Sequence, residues 1–255
     1  MRLKEKIVFI TGASAGIGAA TALAFAAEGA RLLLAARRAS KLAEAASKAL
    51  IGGASAVHSI DLDVRSRHNV QRAIDELPPE WAEIDILINN AGLSRGMEKL
   101  YTGKLDDWEE MIDTNIKGLL YVVRAVVPGM VVRRRGHVVN LGSLASEIVR
   151  PNDVVYCSTK AAARAINDGL RDDMLGTSVR VTSIDPGLVE TDFSLVRFHG
   201  DAGRAAKVYK GIMPLAAEDV ADAIVWAVTR PAHVNIARVS LTSLHQANSL
   251  LIHRE

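Results

Sequence analysis

Tyr156 and Lys160 stand four positions apart in a stretch that reads as helix, so both side chains fall on one face, one turn apart. A phenol titrates near pH ~10 and is a poor base at neutral pH. An ammonium about 4 Å away contributes roughly 4 kcal/mol at an effective dielectric of about 20, or about three pKa units before burial subtracts its share. The expected chemistry is proton transfer by Tyr156, as base in an oxidation and as acid in a reduction. Ser143 precedes the pair, just past a strand-like run, where its hydroxyl can donate to an oxygen on which negative charge builds. Cys157, beside Tyr156, has no histidine near it in sequence and reads as inert packing.

A second cluster lies near the start of the chain. Thr11-Gly12-Ala13-Ser14-Ala15-Gly16-Ile17-Gly18 joins an apolar run to an Ala-rich helical stretch. Three glycines there let the backbone turn sharply and approach a pyrophosphate, which the free N–H groups of the helix start then bind. The same residues also fit the G-x-S-x-G elbow of a hydrolase, with Ser14 as nucleophile. An elbow normally follows several strands, whereas this loop follows the first, which favours a dinucleotide. The second strand-like run ends Ala35-Ala36-Arg37-Arg38. An acidic residue at this point would grip ribose hydroxyls and indicate NAD, while a guanidinium suits a 2′-phosphate. NADP is therefore the expected cofactor, the bland alternative being that Arg37 and Arg38 are merely exposed.

The elements that must position these groups alternate. Strand-like runs at 7–11, 31–36, 56–61, 85–89, 136–141, 179–185 and 234–241 are separated by helical stretches at 16–28, 40–50, 67–76, 107–132, 153–175 and 218–229. Ser40 is the expected N-cap of the second helix, Pro128 should end or kink the long fourth one, and Pro78-Pro79 mark a break. Buried strands alternating with helices mean βαβ units and right-handed crossovers. The pattern predicts a single α/β domain over 1–255, a doubly wound (Rossmann) parallel sheet of about seven strands with helices on both faces. Ligands then bind at the carboxyl ends of the strands. Residues 188–214 show no clear period and are expected to form a lid over the substrate.

Composition sets outer bounds. The 255 residues include 31 Lys+Arg against 29 Asp+Glu, a net charge of +2, which does not point to nucleic acid or a membrane surface. The triplet Arg133, Arg134, Arg135 reads as a solvated helix end. One cysteine excludes an internal disulfide framework, and no His-Glu-x-x-His pattern argues for a metal. The charged opening at 1–6 does not read as a signal peptide, and no apolar stretch is expected to reach membrane-span length. A cytoplasmic, reducing setting is the default expectation.

With these residues in order, the chain resembles the short-chain dehydrogenase/reductase family along essentially its whole length. The resemblance rests on Thr11 to Gly18, Asn89-Asn90-Ala91-Gly92, Asn115, Ser143, Tyr156 with Lys160, and Pro186-Gly187 with Thr191. It implies a catalytic set of Ser143, Tyr156, Lys160 and Asn115. Lys160 would also hold the nicotinamide ribose, and Asn115 would anchor a water that relays protons; a buried amide satisfied by nearby backbone is the other reading of Asn115. The implied cofactor contacts are Gly12, Ser14, Ala15, Gly16, Ile17, Gly18, Arg37, Arg38, Asp63, Val64, Asn90, Ala91, Gly92, Tyr156, Lys160, Pro186, Gly187, Val189 and Thr191. Asp63 is expected to meet the adenine or to cap the next helix.

A narrower likeness is to the NADP-dependent serine / 3-hydroxy acid dehydrogenase subgroup, carried by residues 113–121, 187–194, 196–201, 214–220 and 233–236. It implies oxidation of small hydroxy acids or reduction of the matching semialdehydes, and similar enzymes reduce sulfoacetaldehyde. Departures fall on the substrate side: residues 148–155, Arg95, and the tail after Ile236. Arg150, Arg197 and Arg95 are the expected carboxylate or sulfonate ligands, beside Ser143 and Tyr156. The two long helical stretches, 107–132 and 153–175, match the pair through which the family forms dimers and tetramers. A reductase of a larger ketone or alcohol is the alternative substrate reading. A non-catalytic NADP-sensing protein on the same fold is the alternative from another class.

Overall fold

The computed structural model describes residues 3–255, so Met1 and Arg2 of the opening segment lie outside the described residues. Strand β1 (Ile7–Thr11) is buried along its length and leads into helix α1 (Gly16–Ala27). The chain continues through β2 (Arg31–Ala36), α2 (Ala39–Ile51), β3 (Ala56–Asp61), α3 (Arg67–Asp75) and β4 (Ile86–Asn89). Then come α4 (Leu105–Ile112), α5 (Leu119–Val132), β5 (Gly136–Leu141), α6 (Val154–Asp173) and β6 (Val179–Pro186). It ends with α7 (Phe193–Arg197), α8 (Ala202–Tyr209), α9 (Ala217–Val228) and β7 (Arg238–Leu241).

All seven strands are parallel, in the order β3-β2-β1-β4-β5-β6-β7. The order reverses beside β1, and this switch point opens a crevice at the carboxyl ends of β1 and β4. The two faces of the sheet carry separate cores. One packs Val8, Ile10, Leu32 and Leu34 against Phe25 of α1 and Ile224 of α9. The other packs Phe9, Leu33 and Leu87 against Val122, Val126 and Met130 of α5. Strands buried on both faces read as unbroken apolar runs, which is why β1 and β2 were legible without alternation.

Three local expectations are corrected. Helix α2 begins at Ala39, with Arg38 in the cap position and no side-chain cap, so Ser40 lies inside the first turn. The long fourth helix is not regular throughout: it runs from Leu105 through a π-helical segment at Asp113–Gly118 into α5, which contains Pro128 and ends at Val132. This helix, Leu105–Val132, is long and apolar enough by length and composition to cross a bilayer, contrary to expectation; nearly half of its apolar window is buried, and α5 lies against the sheet. The arginine triplet stands at the C-terminal end of α5 with Arg134 and Arg135 exposed, as expected of a solvated helix end; Arg133 donates to the Ile84 carbonyl, Arg134 to the Gly176 carbonyl, and Arg135 pairs with Glu83 and Asp85.

Residues 188–214 are not irregular throughout. They hold α7 and α8, each too short to show a sequence period. Tyr209 joins the two helices to the chain beneath them, accepting from Ser194 Oγ and donating to the Val189 carbonyl, both at 2.9 Å.

Candidate active site

The carboxyl ends of the strands border one cleft of about 430 Å³ that runs from the glycine loop to α7. At its first end the backbone comes into very close register. A Cβ added at Gly18 would stand 2.3 Å from the Gly12 carbonyl oxygen and 2.5 Å from Asn90 Nδ2, so no other residue fits there without displacing the loop. Asn90 holds that loop by donating to the Thr11 and Gly12 carbonyls at 2.9 and 3.2 Å. Thr11 Oγ1 in turn accepts from the backbone N–H groups of Asn90 and Ala91. Gly12 and Gly16 adopt positive φ, the conformation for which glycine is suited.

Arg37 and Arg38 lie exposed at the rim of this end. Arg37 Nη1 stands 3.9 Å from Asp63 and 3.8 Å from Glu110, too far for strong bonds, and Arg38 donates to Ser14 Oγ at 3.2 Å. Ser14 therefore faces a guanidinium at the rim, which gives no support to the hydrolase elbow. Asp63 does not cap α3; Ser66 does, accepting from the Asn69 N–H. The Asp63 carboxylate instead takes a bidentate bond from Arg65, and burial, which pushes its pKa up, is outweighed by Arg65 and Arg37, so it sits below the usual range. Val64 and Ala91 line the cleft beside it, with Gly92 next to Lys160: a Cβ there would lie 3.7 Å from Lys160 Nζ.

Ser143, Tyr156 and Lys160 converge at the middle of the cleft. Ser143 stands just past β5, where its Oγ accepts from the Ala145 N–H, and it is hydrogen-bonded to the Tyr156 phenol. Tyr156 is buried on α6, its ring 5.8 Å from that of Phe193 on α7. Burial pushes its phenol above the ordinary value, opposed by Arg197, Arg150 and the Ser143 bond. This corrects the expected electrostatics: the cations that act on the phenol most are the two arginines. The Lys160 ammonium, one turn away, instead donates to the Leu141 carbonyl at 2.8 Å. Burial lowers Lys160 to about 8, with the Asp185 carboxylate opposing.

Asn115 lies in the π-helical segment, and its side chain is fully engaged: it accepts from the Leu93 N–H at 2.9 Å and donates to the Leu93 carbonyl and Thr159 Oγ1. The side chain thus joins the loop after β4 to α6, as the buried-amide reading expects.

At the far end, Arg197 is 6% exposed and donates to Ser94 Oγ at 2.9 Å and Asp153 Oδ2 at 3.3 Å. Arg150 donates to the same Asp153 oxygen. Both guanidiniums line the cleft. Arg95 also lines it, but it is bound to Glu110 at 2.7 Å and to the Val196 carbonyl, so it braces α7 against α4 and has less freedom to bind a ligand. Pro186, Gly187, Val189 and Thr191 lead from β6 towards α7, and the Thr191 side chain leans to 3.4 Å from where a Gly16 Cβ would be.

Several residues of this site escape a reading of the chain by motif. Asp153, Ser94, Glu110, Asp185 and Tyr209 belong to no pattern. Asp185 left one trace, a carboxylate inside an otherwise apolar strand, where a buried charge must have a partner; it has Ser183 and Arg238.

Comparison with known proteins agrees with this geometry. A profile described as short chain dehydrogenase matches residues 6–200. The chain belongs to the short chain dehydrogenase family. Among curated members, an NADP-dependent 3-hydroxy acid dehydrogenase of Escherichia coli K12 is 44% identical over 251 residues, covering 98% of this chain and 100% of that protein. An NADP-dependent 3-hydroxy acid dehydrogenase of Schizosaccharomyces pombe is 41% identical over 255 residues, 100% of this chain and 98% of its own length. Among solved structures, the closed form of a serine dehydrogenase complexed with NADP+ superimposes with a TM-score of 0.90 at 44% identity, covering 98% of this chain and 100% of that one. In this short chain dehydrogenase the seven-stranded order, the glycine loop and the Ser143–Tyr156–Lys160 group occupy one continuous cleft.

Proposed function

We propose that this chain is an NADP-dependent oxidoreductase that acts on the hydroxyl-bearing carbon of small anionic hydroxy acids, or reduces the matching semialdehydes. The observation that carries the reading is that two buried-side guanidiniums, Arg150 and Arg197, face the same ring that bears the proton-transferring hydroxyl. A substrate held by its carboxylate on these arginines has its hydroxyl within the reach of Tyr156 and Ser143. Its close relatives, at 44% and 41% identity, are described as NADP-dependent 3-hydroxy acid dehydrogenases, which supports the substrate class. Sulfoacetaldehyde and similar sulfonated aldehydes fit the same charge requirement.

The residues fit the dinucleotide on this chain's own geometry. No side chain caps the α1 N-terminus at Ala15, which leaves its N–H groups for a pyrophosphate, and Arg37 and Arg38 are loosely engaged cations for a 2′-phosphate. Asp63 and Val64 would border the adenine, Asn90 to Gly92 the ribose side, and Pro186, Gly187, Val189 and Thr191 the nicotinamide. When bound, the cofactor supplies the hydride acceptor or donor and, oxidised, a positive charge near the phenol.

Tyr156 exchanges the proton of the substrate hydroxyl, and Ser143 donates to the oxygen as charge gathers on it. Burial alone holds the phenol too high for a base. Arg197 and Arg150 pull it down, so they serve the acid–base group as well as the substrate. Lys160, at about 8, is close enough to neutrality to pass a proton onward. The segment 188–214 acts as a lid, its α7 carrying Phe193 and Arg197 over the site.

Exposed apolar side chains on the long helix, Leu105, Ile112 and Leu120 among them, support a homo-oligomer, a tetramer or dimer, built through that helix. A cytoplasmic setting accords with the single, reduced, buried cysteine.

The test is a panel assay of NADP reduction with serine, short 3-hydroxy acids and neutral alcohols of equal size, and of NADPH oxidation with semialdehydes and sulfoacetaldehyde. Turnover concentrated in the anionic compounds is expected; equal or better turnover of neutral alcohols would reject the reading.

A further inference from the structure

The charges around Tyr156 do not cancel. Arg197 Cζ stands 5.2 Å and Arg150 Cζ 5.9 Å from the centre of the Tyr156 ring. One carboxylate, Asp153, serves both: its Oδ2 accepts from Nη2 of each arginine. Of the other charged neighbours, Arg95 is paired with Glu110, and Lys160 donates to the Leu141 carbonyl while the nearby Asp185 carboxylate is bonded to Arg238. Two cations and one anion leave a single net positive charge at the substrate end.

Asp153 is 4% exposed and does not border the main cleft, where the two arginines lie in front of it. It precedes α6, yet its side chain makes no capping bond to that helix. Its side chain is therefore bound to the arginines rather than to the helix end. Arg150 Nε is buried and has no partner among the described residues, a donor left over on the side chain that Asp153 holds.

We propose that Asp153 is a positioning and specificity-determining residue: by neutralising one of the two guanidiniums that face Tyr156, it selects ligands with one anionic group over ligands with two. The proposal rests on the reading of the cleft as an anionic-substrate site. The first carboxylate of a ligand meets the one uncompensated cation. A second would enter a pocket with no charge left to match it and a buried like charge behind the arginines. Discrimination arises from that repulsion as much as from the attraction.

The test uses the full-length protein with NADPH bound, whose fluorescence reports ligand binding. Butanoate and glutarate are the binding probes; 3-hydroxybutanoate and 3-hydroxyglutarate are the matching substrates with NADP. The native protein is expected to prefer the monoanion in each pair. Asp153→Asn, nearly isosteric, should shift that preference towards the dianion by roughly tenfold or more. It should also move the pH limb assigned to Tyr156 to lower pH, because an anion that holds the phenol proton is gone. Asp153→Glu keeps the charge and should stay near the native preference.

If two uncompensated guanidiniums unfold Asp153→Asn, Arg150→Gln supplies the second comparison. It should lose monoanion affinity, and adding Asp153→Asn should recover it by restoring the charge count. An unchanged preference in Asp153→Asn, an equal shift in Asp153→Glu, or no recovery in the double variant would overturn the proposal. A protein that binds butanoate over glutarate but oxidises no hydroxy acid would defeat the functional reading while supporting the role of Asp153.

Discussion

The guanidinium carbon of Arg197 stands 5.2 Å from the centre of the Tyr156 ring, and the arginine is held there by Ser94 and Asp153. A cation so placed has two effects. It attracts a substrate carboxylate, and it draws down a phenol that burial raises.

Arg197→Ala is therefore expected to raise KM for an acidic substrate by roughly ten- to a hundredfold, the loss of one or two charge-assisted bonds of about 1.5–3 kcal/mol. KM for a neutral alcohol should change little. The alkaline-side requirement for the phenolate should move to higher pH, since a positive charge near the phenol is removed. Steady-state kinetics across pH with both substrates measures all three. Equal effects on acidic and neutral substrates would remove Arg197 from the carboxylate site.

Cofactor choice turns on the rim. Arg37 is exposed and only loosely engaged by Asp63 and Glu110, so its charge is available to a phosphate. Arg37→Ala should weaken NADPH by about 1.5–3 kcal/mol and leave NADH nearly unaffected. Fluorescence titration with each dinucleotide tests this. A native preference for NADH would contradict the assignment outright.

Stability against acid is expected to depend on His137, which is buried in β5 and held down to about 3 by burial, with Arg180 adding to the effect. Its Nε2 lies 2.8 Å from Thr182 Oγ1, whose own proton goes to the Ile236 carbonyl. Nε2 must then carry the hydrogen, and Nδ1 is left as a buried acceptor without a partner among the described residues. An unfolded histidine binds a proton near pH ~6.5, the folded one only near 3. The unfolded state thus binds more protons in between, so stability is full above pH ~6.5 and falls as pH drops towards 3. Denaturant titrations at a series of pH values should show this slope reduced in His137→Gln. An unchanged slope would place the acid sensitivity elsewhere.

The chain gave away its frame because the frame depends on short-range rules. The central strands β1, β4, β5 and β6 were marked to within a few residues by their apolar runs, since a strand buried on both faces has no alternative composition; the edge strands β3 and β7 are only partly buried and carry polar residues. The glycine loop and the Tyr156–Lys160 spacing were legible because each needs neighbours in sequence. The charge network was not. Asp153, Glu110 and Asp185 act on residues brought to them by the fold, Asp153 on Arg197 from 44 positions away. The arithmetic for Lys160 failed for the same reason: helical spacing set its face but not its partner, the Leu141 carbonyl 19 positions earlier. The π-helical segment at Asp113–Gly118 also left no periodic signal, because one residue of extra turn is absorbed within a helix.

The central claim is that the Tyr156 hydroxyl transfers the proton. Tyr156→Phe removes that oxygen and leaves the ring in place against Phe193 and the arginines. Turnover and NADPH affinity measured on the same preparation decide the matter. The account predicts a fall in kcat of roughly a hundredfold to ten-thousandfold or more, with NADPH affinity nearly unchanged. A variant that turns over substrate at close to the native rate would contradict it.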